Sequence, residues 1–208
     1  PVPEIMSGDL VALAMDQICN QAAKVRYMFG GQASALLVVR APFGAGVNIA
    51  SHHSQSLEAW FMHVPGLNVA VPSSPYDAKG LLKAAIRDDD PVIYFEHKYL
   101  YRRIKEDLPE DGDLLTPIGR ARVAREGSDV SIVTYSAMVW KSLEAAETLA
   151  REDGLSVEVL DLRTLLPMDD EAIFATVRKT GKVMIAHEDT RTGGVAGEIA
   201  ARINESAF

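Results

Sequence analysis

Hydrophobic positions along this chain switch between two periods. Over residues 9–26, Leu10, Ala14, Ile18, Ala22 and Val25 recur at the spacing of one helix face, and Gly30-Gly31 follows as a stop. Residues 36–40 form a short continuous apolar run, the pattern of a strand covered on both faces. A glycine-bearing loop over 42–48 leads into Ser51-His52-His53-Ser54-Gln55, with a short helix expected over 56–63 and a second covered strand over 67–71. The next helix start is the most explicit. Ser74 suits the N-cap, Pro75 the first helical position, and Asp77 gives a capping-box-like spacing. Ala78, Leu81, Leu82, Ala85 and Ile86 make the expected inner face; Pro91 ends the connection and residues 92–95 read as a third strand.

Residues 98–129 change character, from basic (Lys98 to Lys105) to acidic and turn-rich (Glu106 to Asp113), and read as a connection between domains that crosses the surface. Three strand–helix units follow: strands over 130–135, 157–160 and 183–186, helices over 137–151, 169–180 and 196–204. Strands alternating with helices predict an α/β fold, parallel sheets with helices on both faces, in two domains over 1–97 and 130–208.

A net charge of −8 disfavours a general nucleic-acid binder, because phosphate repels an acidic surface. The longest apolar stretch, Ala33 to Val39, is too short to cross a bilayer. The single cysteine, Cys19, excludes a disulfide within the chain and points to a reducing compartment; it lies in an apolar helical stripe and is expected in the core. Neither a secretory nor a transit peptide is visible, and the chain, beginning at Pro1, reads as a piece of something longer.

The chemistry-bearing cluster is His52-His53-Ser54-Gln55-Ser56-Leu57-Glu58. It follows a glycine loop beyond the carboxyl end of a strand, where open α/β sheets place ligands. A histidine there can exchange protons near neutral pH, or simply bond a loop carbonyl. His63 reads as a helix-end residue. His97 and His187 adjoin Glu96 and Glu188, but neighbours on a strand point to opposite faces, which disfavours a metal pair. Gly44-Ala45-Gly46 lacks the dinucleotide fingerprint, Gly193-Gly194 suits a tight turn, and neither Ser54 nor Ser136 has a nucleophile-elbow context.

The motifs add a resemblance. Asp16-Gln17-Ile18 with Ala22-Ala23-Lys24 and Arg26-Tyr27, then His53-Ser54-Gln55-Ser56-Leu57-Glu58-Ala59 and His63-Val64-Pro65-Gly66-Leu67, are similar to β subunits of the E1 component of 2-oxo acid dehydrogenase complexes. So are Pro72 to Leu82, Ala85-Ile86-Arg87-Asp88 with Asp90-Pro91-Val92, Asp161-Leu162-Arg163-Thr164-Leu165, and His187-Glu188-Asp189. The match runs through all 208 residues in order.

The resemblance implies a partial transketolase-like pyrimidine-binding domain followed by a partial transketolase C-terminal-like domain, truncated at both ends. It implies an α2β2 assembly with an E1 α subunit, thiamine diphosphate shared between subunits, and Mg2+ held by the α subunit. The activity implied is oxidative decarboxylation of a 2-oxo acid with acyl transfer to the lipoyl group of an E2 acyltransferase, in the cytoplasm rather than the mitochondrial matrix.

By the same resemblance His53 is the catalytic histidine, placed to donate a proton during acyl transfer. Leu10 and Met6 lie along the cofactor's pyrimidine. Ala35, Leu37, Val38, Ala85, Asp88 and Asp90 would form a structural K+ site of carboxylate and carbonyl oxygens. The family's glutamate that bonds the pyrimidine lies upstream of the matched region, so the 208 residues alone are expected to be inactive. Leu10 stands where the family carries an aromatic residue, giving apolar contact without stacking. Two other readings stay open: another transketolase-like thiamine enzyme, and a non-catalytic subunit kept for assembly, which Leu10 favours.

Overall fold

The computed structural model describes residues 1–109 and 112–207. Two four-stranded sheets organise the chain. The first contains β1 (Val38–Phe43), β2 (Asn68–Ala70), β3 (Val92–His97) and, from much later in sequence, β7 (Thr164–Leu166), in the order β1-β3-β2-β7. The second contains β4 (Arg122–Arg125), β5 (Val130–Thr134), β6 (Val157–Asp161) and β8 (Val183–Ala186), in the order β4-β6-β5-β8. Pairing is parallel except for β7 on β2 and β4 on β6. The apolar run over 92–95 became a central parallel strand, as burial on both faces requires: Val92, Ile93, Tyr94 and Phe95 of β3 are all fully buried, whereas the run over 36–40 gave the outer strand β1, which starts at Val38.

The helices are α1 (Ala23–Met28), α2 (Glu58–Met62), α3 (Pro75–Arg87), α4 (Ala137–Glu152), α5 (Asp170–Thr180) and α6 (Val195–Ser206). Helix α3 starts as its local chemistry dictates, with the Asp77 amide donating to Ser74 Oγ at 3.1 Å. Its inner face is narrower than expected. Asp77, Gly80, Leu81 and Ala85 are buried, whereas Ile86 is exposed. Gly80 sets that stripe, because a Cβ there would collide with Thr116.

The first helical region is wound in three ways rather than as one α-helix: 3-10 over Gly8–Ala14, π over Asp16–Ala22, then α1. Its start is pressed onto β1, where a Cβ on Gly8 would sit 3.2 Å from the Pro42 carbonyl. Overwinding followed by underwinding rotates the buried positions to Val11, Ile18 and Ala23, leaving Leu10 and Ala14 half-buried. Cys19 is partly rather than fully buried, packed against the core's edge.

Two strands were not anticipated. The stretch taken as connection up to residue 129 contains β4, an edge strand of the second sheet. β7 belongs to the first sheet although the second α/β unit supplies it. One hydrophobic cluster accordingly runs through both halves, joining Phe43, Phe61 and Phe95 to Tyr135, Leu160, Leu165 and Ile199. A polar seam reinforces it. Arg163 donates to Asp77 Oδ1 at 3.0 Å, Ser73 Oγ donates to Asp161, and Trp140 Nε1 donates to the Ser73 carbonyl at 2.7 Å. No helix among the described residues is long and apolar enough to cross a membrane.

Candidate functional site

The carboxyl ends of β1 and β3 meet the segment that follows β8. Glu188 is the joint. His97 at the end of β3 donates from Nε2 to Glu188 Oε2 at 2.7 Å, and the Ala45 amide donates to Glu188 Oε1 at 2.5 Å. The Tyr99 amide donates to His97 Nδ1 at 3.2 Å, so Nε2 is the ring nitrogen that carries the proton toward Glu188. The hydrogen bond from His97 outweighs partial burial and holds the Glu188 carboxyl below its ordinary range. Gly44 is required here: its φ is +86°, and a Cβ would collide with the His97 ring. Within β3, Glu96 and His97 do face apart, as expected; Glu96 pairs with Arg40 at 2.8 Å on the other side. The partner of His97 lies 91 residues away, in the segment that follows β8.

The glycine loop leads into the 3-10 turn His52–Ser54. This turn is tied at several points. Ser54 Oγ donates to the Ala50 carbonyl at 2.6 Å, Gln55 Nε2 to the His52 carbonyl at 2.9 Å, and the Gly44 amide to the Gln55 carbonyl at 3.1 Å. Lys98, just past β3, donates from Nζ to the His53 carbonyl at 2.6 Å. The His53 ring lies with Nδ1 3.0 Å from Asp9 Oδ1, and Ser7 Oγ donates to the same oxygen at 2.5 Å. Burial pushes the Asp9 carboxyl up, but the hydrogen bonds from Ser7 and His53 prevail and hold it below the usual carboxylate range. The His53 side chain is 37 % exposed. Beside it opens a cleft of about 650 Å3 lined by Ala45, Ser54, Gln55, Trp60, Glu188 and Asp189.

Behind the cleft lies Glu58, fully buried at the start of α2. Tyr135 Oη donates to Glu58 Oε1 at 2.8 Å, while Oε2 has no partner among the described residues. Burial pushes this carboxyl up to about 7, outweighing the hydrogen bonds it accepts, and the Asp189 and Glu188 carboxylates add to the rise. The Tyr135 ring stacks nearly parallel on His187, with centroids 6.4 Å apart. Ser136, next in line, has φ 53° and ψ −132° at a sharp strand-to-helix turn, and its buried hydroxyl has no hydrogen-bond partner among the described residues.

Of the residues singled out in sequence, His53, Leu10 and Met6 come to one side of the molecule, on segments joined by the Asp9–His53 contact. Met6 is 84 % exposed and Leu10 half-buried. The six candidate cation ligands cluster at another corner, where α3 ends and β1 begins beside β3. The Asp90 amide donates to Asp88 Oδ1 at 2.9 Å, the Asp88 amide to the Ala85 carbonyl at 3.3 Å, and the Val92 amide to the Leu37 carbonyl at 2.9 Å. Val38 pairs with Val92 in the sheet, and Ala35 and Asp90 line a shared cleft. No trio of His, Cys, Asp or Glu among the described residues is arranged to hold a metal, so a cation at this corner would rest mainly on carbonyl oxygens.

The transketolase pyrimidine-binding domain model matches residues 1–103, and the transketolase C-terminal domain model matches residues 119–208. The chain belongs to the transketolase-like family. Within it, the chain is 51 % identical over 205 residues to the 2-oxoisovalerate dehydrogenase subunit beta of Bacillus subtilis, covering 99 % of this chain and 62 % of that protein. It is 49 % identical to the acetoin:2,6-dichlorophenolindophenol oxidoreductase subunit beta of Cupriavidus necator, covering 100 % of this chain and 61 % of the relative. It is 45 % identical to the pyruvate dehydrogenase E1 component subunit beta of Bacillus subtilis, covering 100 % and 63 %. All three relatives are named as β subunits, two of 2-oxo acid dehydrogenases and one of an acetoin oxidoreductase, and the chain spans about three fifths of their length. A solved split-gene transketolase, described as an inactive β4 tetramer, superposes with a TM-score of 0.79 at 25 % identity, covering 100 % of this chain and 64 % of that one.

Proposed function

We propose that this chain is part of the β subunit of a thiamine-diphosphate-dependent 2-oxo acid dehydrogenase, acting with an E1 α subunit in an α2β2 assembly and delivering acyl groups to the lipoyl arm of an E2 acyltransferase. The observation that carries the reading is His53. It stands at the strand ends beside an open cleft, pinned through ring and backbone, in a chain about half identical throughout to dehydrogenase β subunits.

The residues present suit the pyrimidine side of such a cofactor. Met6 offers an exposed apolar surface, with Leu10 a turn away and His53 next to Asp9. Thiamine diphosphate, when bound, supplies the carbanion chemistry that the protein lacks. Met6 and Leu10 then exclude water from one side, and His53 holds a proton at the cleft edge for the sulfur of the incoming lipoyl group. Mg2+ belongs with the α subunit and the diphosphate. The corner formed by Ala35, Leu37, Val38, Ala85, Asp88 and Asp90 would hold K+ as a structural ion.

The competing reading, a subunit kept only for assembly, draws on Leu10 and on the fold being shared by an inactive tetramer. The test is the His53→Ala variant of the complete β subunit, assembled with its α subunit. Reduction of an artificial dye by a 2-oxo acid reports decarboxylation alone, and E2-coupled acylation reports transfer. Acylation should fall by roughly a hundredfold or more, with a much smaller loss in dye reduction. Equal losses in both, or acylation within twofold of wild type, would overturn the role; no dye reduction by the wild-type assembly would leave assembly as the function.

A further inference from the structure

Asp9 has a place in this site that no sequence motif assigns. It lies 44 residues before His53, on the 3-10 segment that crosses the end of β1. Its Oδ1 receives both the Ser7 hydroxyl at 2.5 Å and the His53 Nδ1 contact at 3.0 Å. The Asp9 side chain is 14 % exposed against 37 % for His53, so the carboxylate forms the fixed inner wall and the imidazole the outer, accessible group. His53 Nε2 makes no hydrogen bond among the described residues, and the His52 ring meets the His53 ring edge-on at 4.3 Å. Lys98 pins the backbone of the same residue through the His53 carbonyl.

We propose that Asp9 is the positioning residue for His53: its carboxylate accepts the Nδ1 proton, fixes the ring's tautomer and leaves Nε2 as the nitrogen that exchanges a proton in the cleft. The proposal rests on the dehydrogenase reading only for what Nε2 does. The geometry of the pair stands without it. A neutral imidazole has one N–H and one lone pair, and a carboxylate can only accept, so a carboxylate at 3.0 Å from Nδ1 selects the Nδ1–H form. Ser7 reinforces that choice. Its hydroxyl donates to the oxygen that faces the ring, and so stabilises the charged acceptor rather than competing for the imidazole. The arrangement is that of a base oriented by a carboxylate less exposed than itself, with roles set by geometry rather than by sequence spacing.

Two measurements separate this inference from the reading beneath it. In the first, the complete β subunit, assembled with its α partner, is labelled with 15N-histidine, and long-range proton–nitrogen correlations report which ring nitrogen of His53 is protonated; His53→Gln assigns the signal. Wild type should show Nδ1–H. Asp9→Asn should move the ring toward Nε2–H, and Asp9→Glu should restore the original form. A wild-type tautomer retained in Asp9→Asn overturns the proposal, whatever the enzyme does. The second measurement uses the complete β subunit with its α partner. Asp9→Asn should lower kcat for acyl transfer by roughly tenfold or more, with KM for the 2-oxo acid within about twofold, and Asp9→Glu should recover most of the loss. A tautomer shift without any kinetic effect keeps Asp9 as the orienting group but removes His53 from the reaction, which is failure of the dehydrogenase role of the histidine and not of the pair.

Discussion

Replacing Glu58 by Gln should make the protein's stability less sensitive to pH. Glu58 is fully buried, accepts one hydrogen bond from Tyr135, and has its second oxygen unpaired. Burial lifts its folded-state value to about 7 from an ordinary 4.5. Below pH 4.5 both folded and unfolded chains hold the proton. Between 4.5 and 7 the folded chain keeps it while the unfolded chain has released it, so stability falls as pH rises through this window, by ~1.4 kcal/mol per pH unit. From pH 5 to pH 8 that amounts to about 2–3 kcal/mol, an upper figure because a buried site can relax around its charge. Gln keeps the acceptor for Tyr135 and cannot ionise. Asp161, which burial lifts to about 6, gives a slope of the same sign, so the wild type must be compared with E58Q rather than read alone. Urea unfolding of both proteins at pH 5, 6, 7 and 8 provides the comparison. E58Q should gain on wild type by about 2–3 kcal/mol over the series, or about 5–10 °C in melting temperature for a chain of this size. Unfolding curves that move in parallel from pH 5 to pH 8 would refute the assignment of the buried proton to Glu58.

Two further outcomes are expected. Ser136→Gly relieves a positive φ and removes a buried, unpartnered hydroxyl, so it should stabilise the fold by about 1–2 kcal/mol in denaturant titration; a loss of stability would mean that the hydroxyl has a partner. If the corner at Asp88 binds K+, KCl should raise the unfolding free energy by about 1–3 kcal/mol over the same concentration of choline chloride, and Asp88→Ala should abolish the difference; identical curves in the two salts would remove the ion from the fold.

What could be read in advance follows the range of the interactions. Helix α3 was legible because Ser74, Pro75 and Asp77 act within a single turn. The strands β1 and β3 were legible from the apolar runs at 36–39 and 92–95, which burial on both faces writes into the sequence, although β1 begins at Val38 and both strands continue past the runs to Phe43 and His97. β4 was hidden because an edge strand needs only one apolar neighbour, and Arg122-Val123-Ala124-Arg125 carries the charges that guard such an edge. β7 was hidden because three residues carry no period. His53 stood out through its glycine loop, but Asp9 and Lys98 did not, and Glu188 was read only beside His187 and not with His97: each reaches the site through a packing of distant segments, and spacing says nothing about that. The composite winding of residues 8–28 escaped for a related reason. The stripe from Leu10 to Val25 is correct for an α-helix, and contact between Gly8 and β1 changes the helix.

The origin of β7 bears on how this protein can be recombined with its relatives. Thr164 and Leu166 pair with Ala70 and Val69, so the second half of the chain furnishes an outer strand of the first half's sheet. A chimera that exchanges residues 119 onward also exchanges that strand, the Arg163 partner of Asp77 and much of the apolar contact around Phe95. Such hybrids succeed or fail on the fit of this seam, whatever the quality of the two donors. Scission behaves in the same way: a cut after the exposed Lys105 severs the peptide chain and leaves the sheet intact, so the two pieces should migrate together until a denaturant parts them.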